Sequence, residues 1–515
     1  MTTSPDAAPE NPASHSGSEM HGESRDSSKF FQIDQVHLSL PEDGFDADAL
    51  AALSPRVAAR QVTRIPHERA AVLLARASAS VSAEVLQVLL PENEGLVISI
   101  LASISQGRAQ EIVAEMASTT RLEQLPSAVK AIEDCERTAR EALGESVGPL
   151  ARATPSRQHT EGFYQAFEKG QILWSARGEA QVTWGAIAEY YITLGGTGGR
   201  LGFPLTPDHK AVASPFGTEG SCQRFEGLRD YPQEVCERIG RCGATVYWSQ
   251  KYWTHGTWGS IGAYYELVGG TGGWLGFPVA DEVKVGPSQR EAGDGTTGWR
   301  QRFEGGAVYY SGKTRAIAVH EPVADYHESH RGVTSPRGFP VSPELAAADS
   351  PYGTTGRLQR FEGIWDYPTD ILDHWSDVEG PGGATIYTSE AHGVYCVGWG
   401  NGILYERLGG TGSWLGFPKS DETDARASKD DPWCTVQEFE GGTIFYKAKS
   451  GSVPVPRATM EYLSQHEGLL QRLGLPVKGE SSLTPGDDEH VQFFEHGVVT
   501  IRKGVFETWL RAENT

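Results

Sequence analysis

The sequence predicts a multidomain chain, α plus mainly β, in which an N-terminal stack of short helices is followed by a five-repeat, closed, β-propeller-like array. Two observations predict this architecture. Apolar residues recur with helical spacing between residues 30 and 150, and a ten-residue motif, GGTGGWLGFP at residues 269–278, is one of five close or degenerate copies between residues 195 and 476. A second phrase, Gln-Arg-Phe-Glu-Gly or a close variant, follows each copy, so the chain carries tandem units of one supersecondary type.

Length and charge exclude several classes of protein. The 515 residues are enough for two or three domains with substantial cores. The formal net charge of -22 argues against binding to nucleic acid or anionic lipid, because both require clustered Lys and Arg. Residues 1–30 are polar, without the apolar stretch of a secretory signal, and we find no run long enough to span a bilayer. We therefore expect a cytoplasmic protein without membrane insertion.

The N-terminal part changes character twice. Residues 1–29 are rich in Ser, Glu, Asp and Pro, a composition that predicts a disordered tail. Residues 30–150 contain short apolar stripes separated by breakers such as Ser54-Pro55 and Ile65-Pro66. Such helices cannot bury their apolar faces alone, so we expect them to stack on one another. Residues 151–171 are predicted to be a linker, and the repeats are predicted to occupy residues 172–515.

Each repeat is predicted to contain two or three strands and a short helix. Alternating β-branched and aromatic residues favour strands, and bulky residues at helical spacing follow them. The glycines of the ten-residue motif then end that helix, which is the reverse of the order in a dinucleotide-binding loop, so phosphate binding is not expected. Closing the units into a ring would avoid exposed sheet edges, and an open solenoid is the alternative.

Two acidic positions recur in all five copies. One acid stands seven residues after the first position of the Leu-Gly-Phe-Pro motif, and one glutamate lies in the Phe-Glu-Gly phrase. Either the carboxylate accepts hydrogen bonds from backbone N–H groups, or a ring of carboxylates holds a cation such as Ca²⁺, the one cofactor we consider. The candidate metal ligands, for which the structural role is the alternative, are Asp208, Glu282, Glu344, Glu422 and Glu480. The second set, open to the same two interpretations, is Glu226, Glu304, Glu362, Glu440 and Glu495.

Tryptophans are the candidate ligand-binding residues. Their flat rings can stack on sugar faces or grip peptide side chains, although a tryptophan shared by several repeats can also belong to the core. The candidates are Trp184, Trp253, Trp258, Trp274, Trp399 and Trp414. Arginine replaces Trp274 and Trp414 in two other copies, so these two are predicted to face solvent more than Trp184 and Trp258.

The repeated residues resemble the LGFP-repeat family, because Leu-Gly-Phe-Pro, an acidic residue and Phe-Glu-Gly-Gly occur in that order. The resemblance covers roughly residues 172–515. LGFP repeats are found in actinobacterial cell-surface proteins, including mycolyltransferases and amidases, where they are thought to hold the protein to the cell envelope. The resemblance implies a binding module without catalysis of its own.

Residues 48–117 resemble the cytosolic N-terminal helical domain of MgtE-type magnesium transporters. The resemblance is carried by the Leu-x-x-Leu-Ser-Pro-x-x-Ala-Ala pattern at residues 50–59. The transporter's membrane domain is missing from this chain, so magnesium transport is not implied. We expect a scaffold that contacts another protein.

Three functions remain open at this point. The chain has no zinc-protease helix, nucleophile elbow or Walker loop, so we expect no enzyme. The first hypothesis is a non-catalytic binding protein whose repeat ring recognises a glycan or cell-envelope polymer, while the helical domain contacts a protein partner; it would place the protein in the envelope or outside the cell. The alternatives are an intracellular scaffold whose ring binds protein, and a hydrolase with an unrecognised site.

Overall fold

The structure is a computed structural model, and it describes residues 46–116, 122–290, 295–372, 382–425, 434–447, 451–482 and 489–511. The predicted disordered tail, residues 1–29, lies outside these ranges. The helices that precede the first strand are α1 (Ala47–Ala51), α2 (Pro55–Val62), α3 (His67–Arg76), α4 (Ala79–Leu89), α5 (Glu94–Ala102), α6 (Gln106–Glu115) and α7 (Leu125–Leu143). None of the helices in these ranges combines the length and the apolar character that crossing a membrane requires.

The short helices begin where the breakers place them. Pro55 opens α2, and the Ser78 hydroxyl accepts the Val81 N–H at 3.3 Å at the start of α4. The apolar stripes meet in one core, in which Leu74, Leu86 and Ile100 are fully buried. The predicted helical stack is therefore present.

Six four-stranded antiparallel sheets follow, each built from four consecutive strands that neighbour one another in chain order, and we call them units 1 to 6. Units 1 to 3 contain β1 (Ala151–Arg152), β2 (Gly162–Phe167), β3 (Gly170–Ser175), β4 (Glu179–Trp184); β5 (His209–Lys210), β6 (Gly220–Phe225), β7 (Ala244–Ser249), β8 (Trp253–Trp258); and β9 (Val283–Val285), β10 (Gly298–Phe303), β11 (Gly306–Ser311), β12 (Arg315–His320). Units 4 to 6 contain β13 (Leu345–Ala346), β14 (Gly356–Phe361), β15 (Ala384–Ser389), β16 (Gly393–Gly398); β17 (Thr423–Asp424), β18 (Cys434–Glu438), β19 (Gly442–Lys447), β20 (Gly451–Pro456); and β21 (Pro476–Ser482), β22 (Glu489–Phe494), β23 (Gly497–Arg502), β24 (Val505–Leu510).

Short helices lie within and between the units. After the fourth strands of units 1 to 5 come α8 (Gly185–Thr193), α10 (Gly259–Leu267), α11 (Val323–Ser329), α13 (Trp399–Leu408), α14 (Arg457–Gln465) and, before unit 6, α15 (Leu469–Leu473). Two more, α9 (Gln233–Ile239) and α12 (Thr369–Leu372), lie in insertions between the second and third strands of units 2 and 4.

The sequence-based count of five repeats with two or three strands each is wrong, because the described chain forms six four-stranded units. The predicted linker, residues 151–171, contains β1 and β2 of unit 1. Unit 1 escaped notice because its second phrase is worn to Gln165-Ala166-Phe167-Glu168, followed by Lys169 in place of glycine.

Unit 1 is also preceded by a divergent copy of the Leu-Gly-Phe-Pro motif, which we call the turn motif. Leu143-Gly144-Glu145-Ser146, at the end of α7, makes the contacts that Leu201-Gly202-Phe203-Pro204 makes before unit 2. Ser146 bridges to Phe167 as Pro204 does to Phe225, and Gly144 has a φ of 79° where Gly202 has 68°. Helix α7 is therefore joined to unit 1 in the way that each unit is joined to the next.

Before units 2 to 5, a ring on the helix that follows the preceding unit packs against the phenylalanine of the next unit. Tyr191 of α8 stacks on Phe225 of unit 2, with ring centroids 5.3 Å apart, and Tyr265 stacks on Phe303 at 4.6 Å. Unit 3 uses His327 instead of tyrosine, 4.9 Å from Phe361. The phenylalanine that recurs in the second phrase is thus a core residue between two units.

The glutamine of the second phrase ties each unit to the one before it. Gln359 is fully buried, and its side-chain N–H group donates to the backbone carbonyls of Ala318 and Ser342, both at 2.8 Å. Gln223, Gln301 and Gln437 bond in the same way to the last strand of units 1, 2 and 4. Sheets that share no strand pairing are linked by these side chains.

The glutamate of the second phrase closes the same joint. In unit 4, Glu362 Oε2 accepts the Phe339 N–H of the turn motif at 3.1 Å, and Oε1 accepts the hydroxyl of Thr296 from unit 3. Gly338 has a φ of 73°, and a Cβ there would lie 2.7 Å from the carboxylate, so only glycine fits. Glu226, Glu304 and Glu440 make the same contacts, and Glu495 replaces the threonine partner with Lys447. This set of carboxylates has the structural role.

The predicted closure of the array into a ring is not confirmed, since no closed barrel or propeller sheet is found among the described strands. The face of unit 1 that a ring would use is already occupied: Phe163 and Trp174 belong to the same core as α7. At the other end, unit 6 has Thr500 at the strand position that holds Tyr247 in unit 2, and Trp509 is 62% exposed. These observations favour the open solenoid.

Replacing Gln359 with leucine is expected to lower the free energy of unfolding by about 3 kcal/mol, because two buried carbonyls lose their donor. Chemical denaturation of the full chain measures this change. Gln250→Leu, at an exposed position, is the matched control. A loss below about 0.5 kcal/mol for Gln359→Leu would contradict the role of the glutamine as a link between units.

His327 makes the stability depend on pH. It is fully buried, its Nε2–H donates to the Gly338 carbonyl at 3.0 Å, and burial lowers the pKa of His327 to about 3. Below the ordinary pKa of 6.5 the unfolded chain binds a proton that the folded chain does not, so stability is expected to fall by up to about 1.4 kcal/mol per pH unit.

His327→Tyr, which restores the residue type of Tyr191 and Tyr265, is expected to remove this loss between about pH 6 and pH 4. Thermal unfolding against pH is the measurement, and His466→Tyr at an exposed histidine is the control. Parallel pH profiles for wild type and His327→Tyr would refute the assignment.

Candidate functional site

The first set of acids lies where two units meet at the surface. In units 2 to 5 the acid stands just before the short first strand, near the end of the fourth strand of the preceding unit and the second residue of its own second strand; in unit 6, Glu480 lies within β21. We call these places junction grooves and number them by the two units that form them.

Groove 1–2 pairs a tryptophan with an acid. Trp184 ends β4 and is 44% exposed, and it lies with Ser221 beside Asp208. Burial raises the pKa of Asp208 above its ordinary value, although Ser221 and Trp184 both act to lower it. The groove therefore offers an open aromatic face next to a carboxylate that is poorly solvated.

Groove 2–3 repeats the arrangement with a second ring. Trp258 ends β8, lies beside Glu282, and carries the Arg200 guanidinium 4.5 Å from the centre of its ring. Burial raises the pKa of Glu282 to about 6, although Trp258 and Arg200 both act to lower it. Trp299, 37% exposed, occupies the strand position of Ser221 and was missed in the sequence because its copies are not aromatic.

Groove 3–4 has a histidine where the others have tryptophan. His320 ends β12 and stacks on Trp274 with ring centroids 3.5 Å apart, and Glu344 forms an ion pair with Arg357. Burial lowers the pKa of His320, against the opposite effect of Glu344. The groove opens into a cavity of about 650 Å³ whose lining includes His320, Glu344, Tyr352 and Arg357.

The remaining two acids have local partners and no aromatic residue at the equivalent strand end. Glu422 accepts the Thr435 hydroxyl, and Glu480 lies 3.5 Å from His490. Burial raises the pKa of both carboxyls. Trp399 is displaced by one residue from the position of Trp184 and Trp258, and it takes the left-handed backbone, with a φ of 52°, that glycine provides elsewhere.

The predicted ring of carboxylates does not form. Each of Asp208, Glu282, Glu344, Glu422 and Glu480 lies in a different groove with partners of its own. Across the part of the chain that the structure describes, no group of three or more His, Cys, Asp or Glu is arranged to hold a metal ion. A shared Ca²⁺ site has no supporting geometry there.

Members of the two sets of recurring acids have pKa values that are shifted in opposite directions. Burial alone would raise the pKa of Glu440, yet hydrogen bonds led by those from Thr354 and the Phe417 N–H lower it to about 2. The pKa of Glu495 is lowered as well, since Lys447 and the Leu475 N–H outweigh burial. A lowered pKa means that the ionised group stabilises the fold, whereas the raised pKa of Asp208, Glu282, Glu422 and Glu480 means that an ionised carboxylate at these four positions costs stability. A stabilising charge therefore does not account for these four acids.

The other predicted tryptophans are spread along the surface. Trp253 is 75% exposed at the turn between β7 and β8, outside the groove contacts described above. Trp414 is 38% exposed, less than Trp184, and Trp274 is half-buried against His320. The prediction that Trp274 and Trp414 face solvent more than Trp184 and Trp258 is thus wrong against Trp184, and it holds for Trp414 against Trp258, which is only partly exposed. An arginine at the equivalent position signals a stacking partner as readily as exposure.

Comparisons with known proteins identify the repeats. LGFP repeats are found in three segments, residues 149–199, 275–335 and 415–468, and the first of them begins before the range expected from the sequence. The likeness of residues 48–117 to MgtE-type transporters is not supported. No curated protein matches the chain. The WD40 domain of SCAP from fission yeast is matched at 9% identity over 69% of this chain and 64% of that chain, with a TM-score of 0.10, too low to bear on the fold.

Glu282→Gln is expected to stabilise the protein by about 1 kcal/mol near pH 8, after allowance for partial solvent exposure. Because the pKa is raised from 4.5 to about 6, the folded protein binds more protons than the unfolded chain between these values, so wild-type stability falls as pH rises through them. Unfolding free energies measured from about pH 4 to pH 8 test this. Glu440→Gln is the control and should destabilise; a destabilising Glu282→Gln would contradict the contrast between the two sets.

Proposed function

We propose that the chain is a non-catalytic binding protein whose row of junction grooves recognises a glycan or cell-envelope polymer. The observation that carries this proposal is the repeated pairing of a flat ring with a partly buried carboxylate, at Trp184 with Asp208, Trp258 with Glu282 and His320 with Glu344. A ring face stacks on the apolar face of a sugar, and a carboxylate accepts hydrogen bonds from its hydroxyls.

The arrangement of the grooves supports a polymeric ligand. Units that stack in one direction present equivalent positions at regular intervals, as repeat proteins with extended binding surfaces do. The LGFP repeats support a cell-wall ligand, and the net charge of -22 disfavours a polyanionic one. In this proposal the helical stack caps unit 1, with which it shares a core, and any protein partner binds to the outside of the stack.

Groove 3–4 is the place where the alternative of a hydrolase has most support. Glu344 and Glu390 line the same cavity as His320, and two carboxyl groups are the usual equipment of a glycosidase. Glu344, however, is held in an ion pair with the Arg357 guanidinium, an arrangement that disfavours Glu344 as the proton donor of such a reaction. The length distribution of a polysaccharide incubated with the protein separates the two functions, because a binding protein leaves it unchanged.

Trp184→Ala and Trp258→Ala are each expected to weaken binding to purified actinobacterial cell wall by about 5- to 10-fold, since each removes one stacking platform. Co-sedimentation of the full chain with insoluble wall, at increasing amounts of wall, measures the affinity. Trp253→Ala is the matched control, because Trp253 is more exposed than either but lies outside the grooves. An equal loss for Trp253→Ala, or no binding by wild type, would overturn the proposal.

A further inference from the structure

The loops between first and second strands carry two chemistries in alternation. In units 1 to 4 this loop contains a buried serine, namely Ser156, Ser214, Ser288 and Ser350. In units 1, 2 and 4 its hydroxyl accepts the N–H of the residue two positions on, at 3.2 Å for Gln158, 3.2 Å for Phe216 and 3.0 Å for Tyr352. In unit 3 the residue at that spacing is Arg290. The second position after the serine is therefore polar in units 1 and 3 and aromatic in units 2 and 4.

The polar members of this series are used within the fold. The Gln158 side-chain N–H group donates to the Glu226 carbonyl at 2.8 Å, and the Arg290 guanidinium donates to the Glu362 carbonyl at 3.2 Å and to Asp366 at 2.6 Å. Asp366 belongs to the Asp-Tyr-Pro insertion of unit 4; the matching Asp230 of unit 2 accepts from Arg177 of unit 1, which also donates to the Gln158 amide oxygen at 2.9 Å. The insertions are thus linked to the polar side chains, directly in unit 4 and through Arg177 in unit 2.

The aromatic members lie at the junctions without an insertion. Phe216 packs over the turn before unit 3, where a Cβ at Gly276 would lie 2.9 Å from its ring, and Tyr352 packs over the turn before unit 5, 2.8 Å from a Cβ at Gly416. They nevertheless stay 51% and 44% exposed. Because the polar residues occupy the same position elsewhere, packing alone does not account for the aromatic choice.

A tryptophan accompanies each exposed ring. Patch I consists of Phe216, Trp274 and His320; Phe216 and Trp274 flank the same glycine, Gly305, and Trp274 stacks on His320. Patch II consists of Tyr352, Trp414 and Arg457; the Tyr352 hydroxyl donates to the Trp414 carbonyl at 2.8 Å, and the Arg457 guanidinium lies 5.5 Å from the Tyr352 ring centre. These contacts hold the rings in place before any ligand arrives, which lowers the entropic cost of binding.

The two patches are related by a shift of two units, and patch II is continuous with a groove. Tyr352 belongs both to patch II and to the lining of the cavity in groove 3–4. Phe216 occupies the equivalent loop position in unit 2. A ligand that lies in groove 3–4 therefore reaches patch II, and patch I has its loop aromatic residue at the same position two units earlier.

We propose that patches I and II are duplicated contact sites for one extended glycan chain that binds both at once. The inference rests on the proposed function and narrows it: the ligand is a polymer long enough to span two units, and short oligosaccharides bind each patch separately. Linked contacts of this kind raise the affinity for the polymer far above that for a fragment without any new interaction.

The test uses cell-wall polysaccharide separated into an oligosaccharide pool and a long-chain pool, with calorimetry on the full-length protein. Wild type is expected to bind one oligosaccharide at each patch and to bind the long chain about 100-fold more tightly than an oligosaccharide. Trp274→Arg and Trp414→Arg are suitable variants, because Arg200 and Arg472 occupy the same position in other units. Each is expected to lower the number of oligosaccharides bound per chain by one and to abolish the advantage of the long chain. Trp253→Ala should behave as wild type.

The outcomes separate the two proposals. One oligosaccharide site in wild type, or equal affinity for both pools, would overturn the duplicated patches, as would an unchanged long-chain affinity in both arginine variants. If Trp184→Ala still weakened binding in that case, the proposed function would stand without the patches. Absence of binding to either pool would overturn the proposed function itself. Unfolding temperatures within about 3 °C of wild type would show that the variants fold.

Discussion

The whole array depends on one charged hydrogen bond that is repeated at every joint. A glutamate carboxylate accepts a backbone N–H from the turn motif and a hydroxyl or ammonium group from the preceding unit, as Glu362 does with Phe339 and Thr296. Hydrogen bonds to an ionised group are roughly twice as strong as neutral ones. Because the acceptor, the turn and the donor come from three separate segments, each joint fixes the position of one unit relative to the next. Repeats of about 60 residues can then stack without sharing strands.

The sequence made the repeats visible because this joint needs particular residues. Only glycine can approach the carboxylate, and only a buried glutamine reaches two carbonyls, so both stay recognisable in units 2 to 5. The strands and the short helices after them could be predicted for the same reason. Unit 1 could not, since Glu145 and Ser146 replace the Phe and Pro of the motif while keeping its backbone contacts. A motif that is defined by its side chains does not detect a unit in which the backbone makes the interaction.

The candidate site was predictable in its residues and not in their roles. Asp208 and Glu226 recur equally often, so sequence could not separate a carboxylate that stabilises a joint from one that lies in a groove. Their environments differ. An N–H group and a hydroxyl group donate to the Glu226 carboxylate, whereas the Asp208 carboxylate lies beside the Trp184 indole and is poorly solvated. His320 and Trp299 were missed because neither is repeated, although the strand positions that they occupy are.

Repetition lets the array carry destabilising surface groups in its grooves, because the joints stabilise the fold beside them. Ionised carboxylates in poorly solvated grooves cost stability, and so do exposed rings such as Phe216, so a small domain could carry few of them. In the array, each groove lies beside a joint whose glutamate and glutamine offset that cost locally. The same joint therefore occurs in two versions. In one, the neighbouring loop has a polar side chain that is linked to an insertion; in the other, it has an aromatic side chain that stays exposed to solvent. Alternation of these two versions gives a surface whose repeat is two units, although the fold itself repeats every unit.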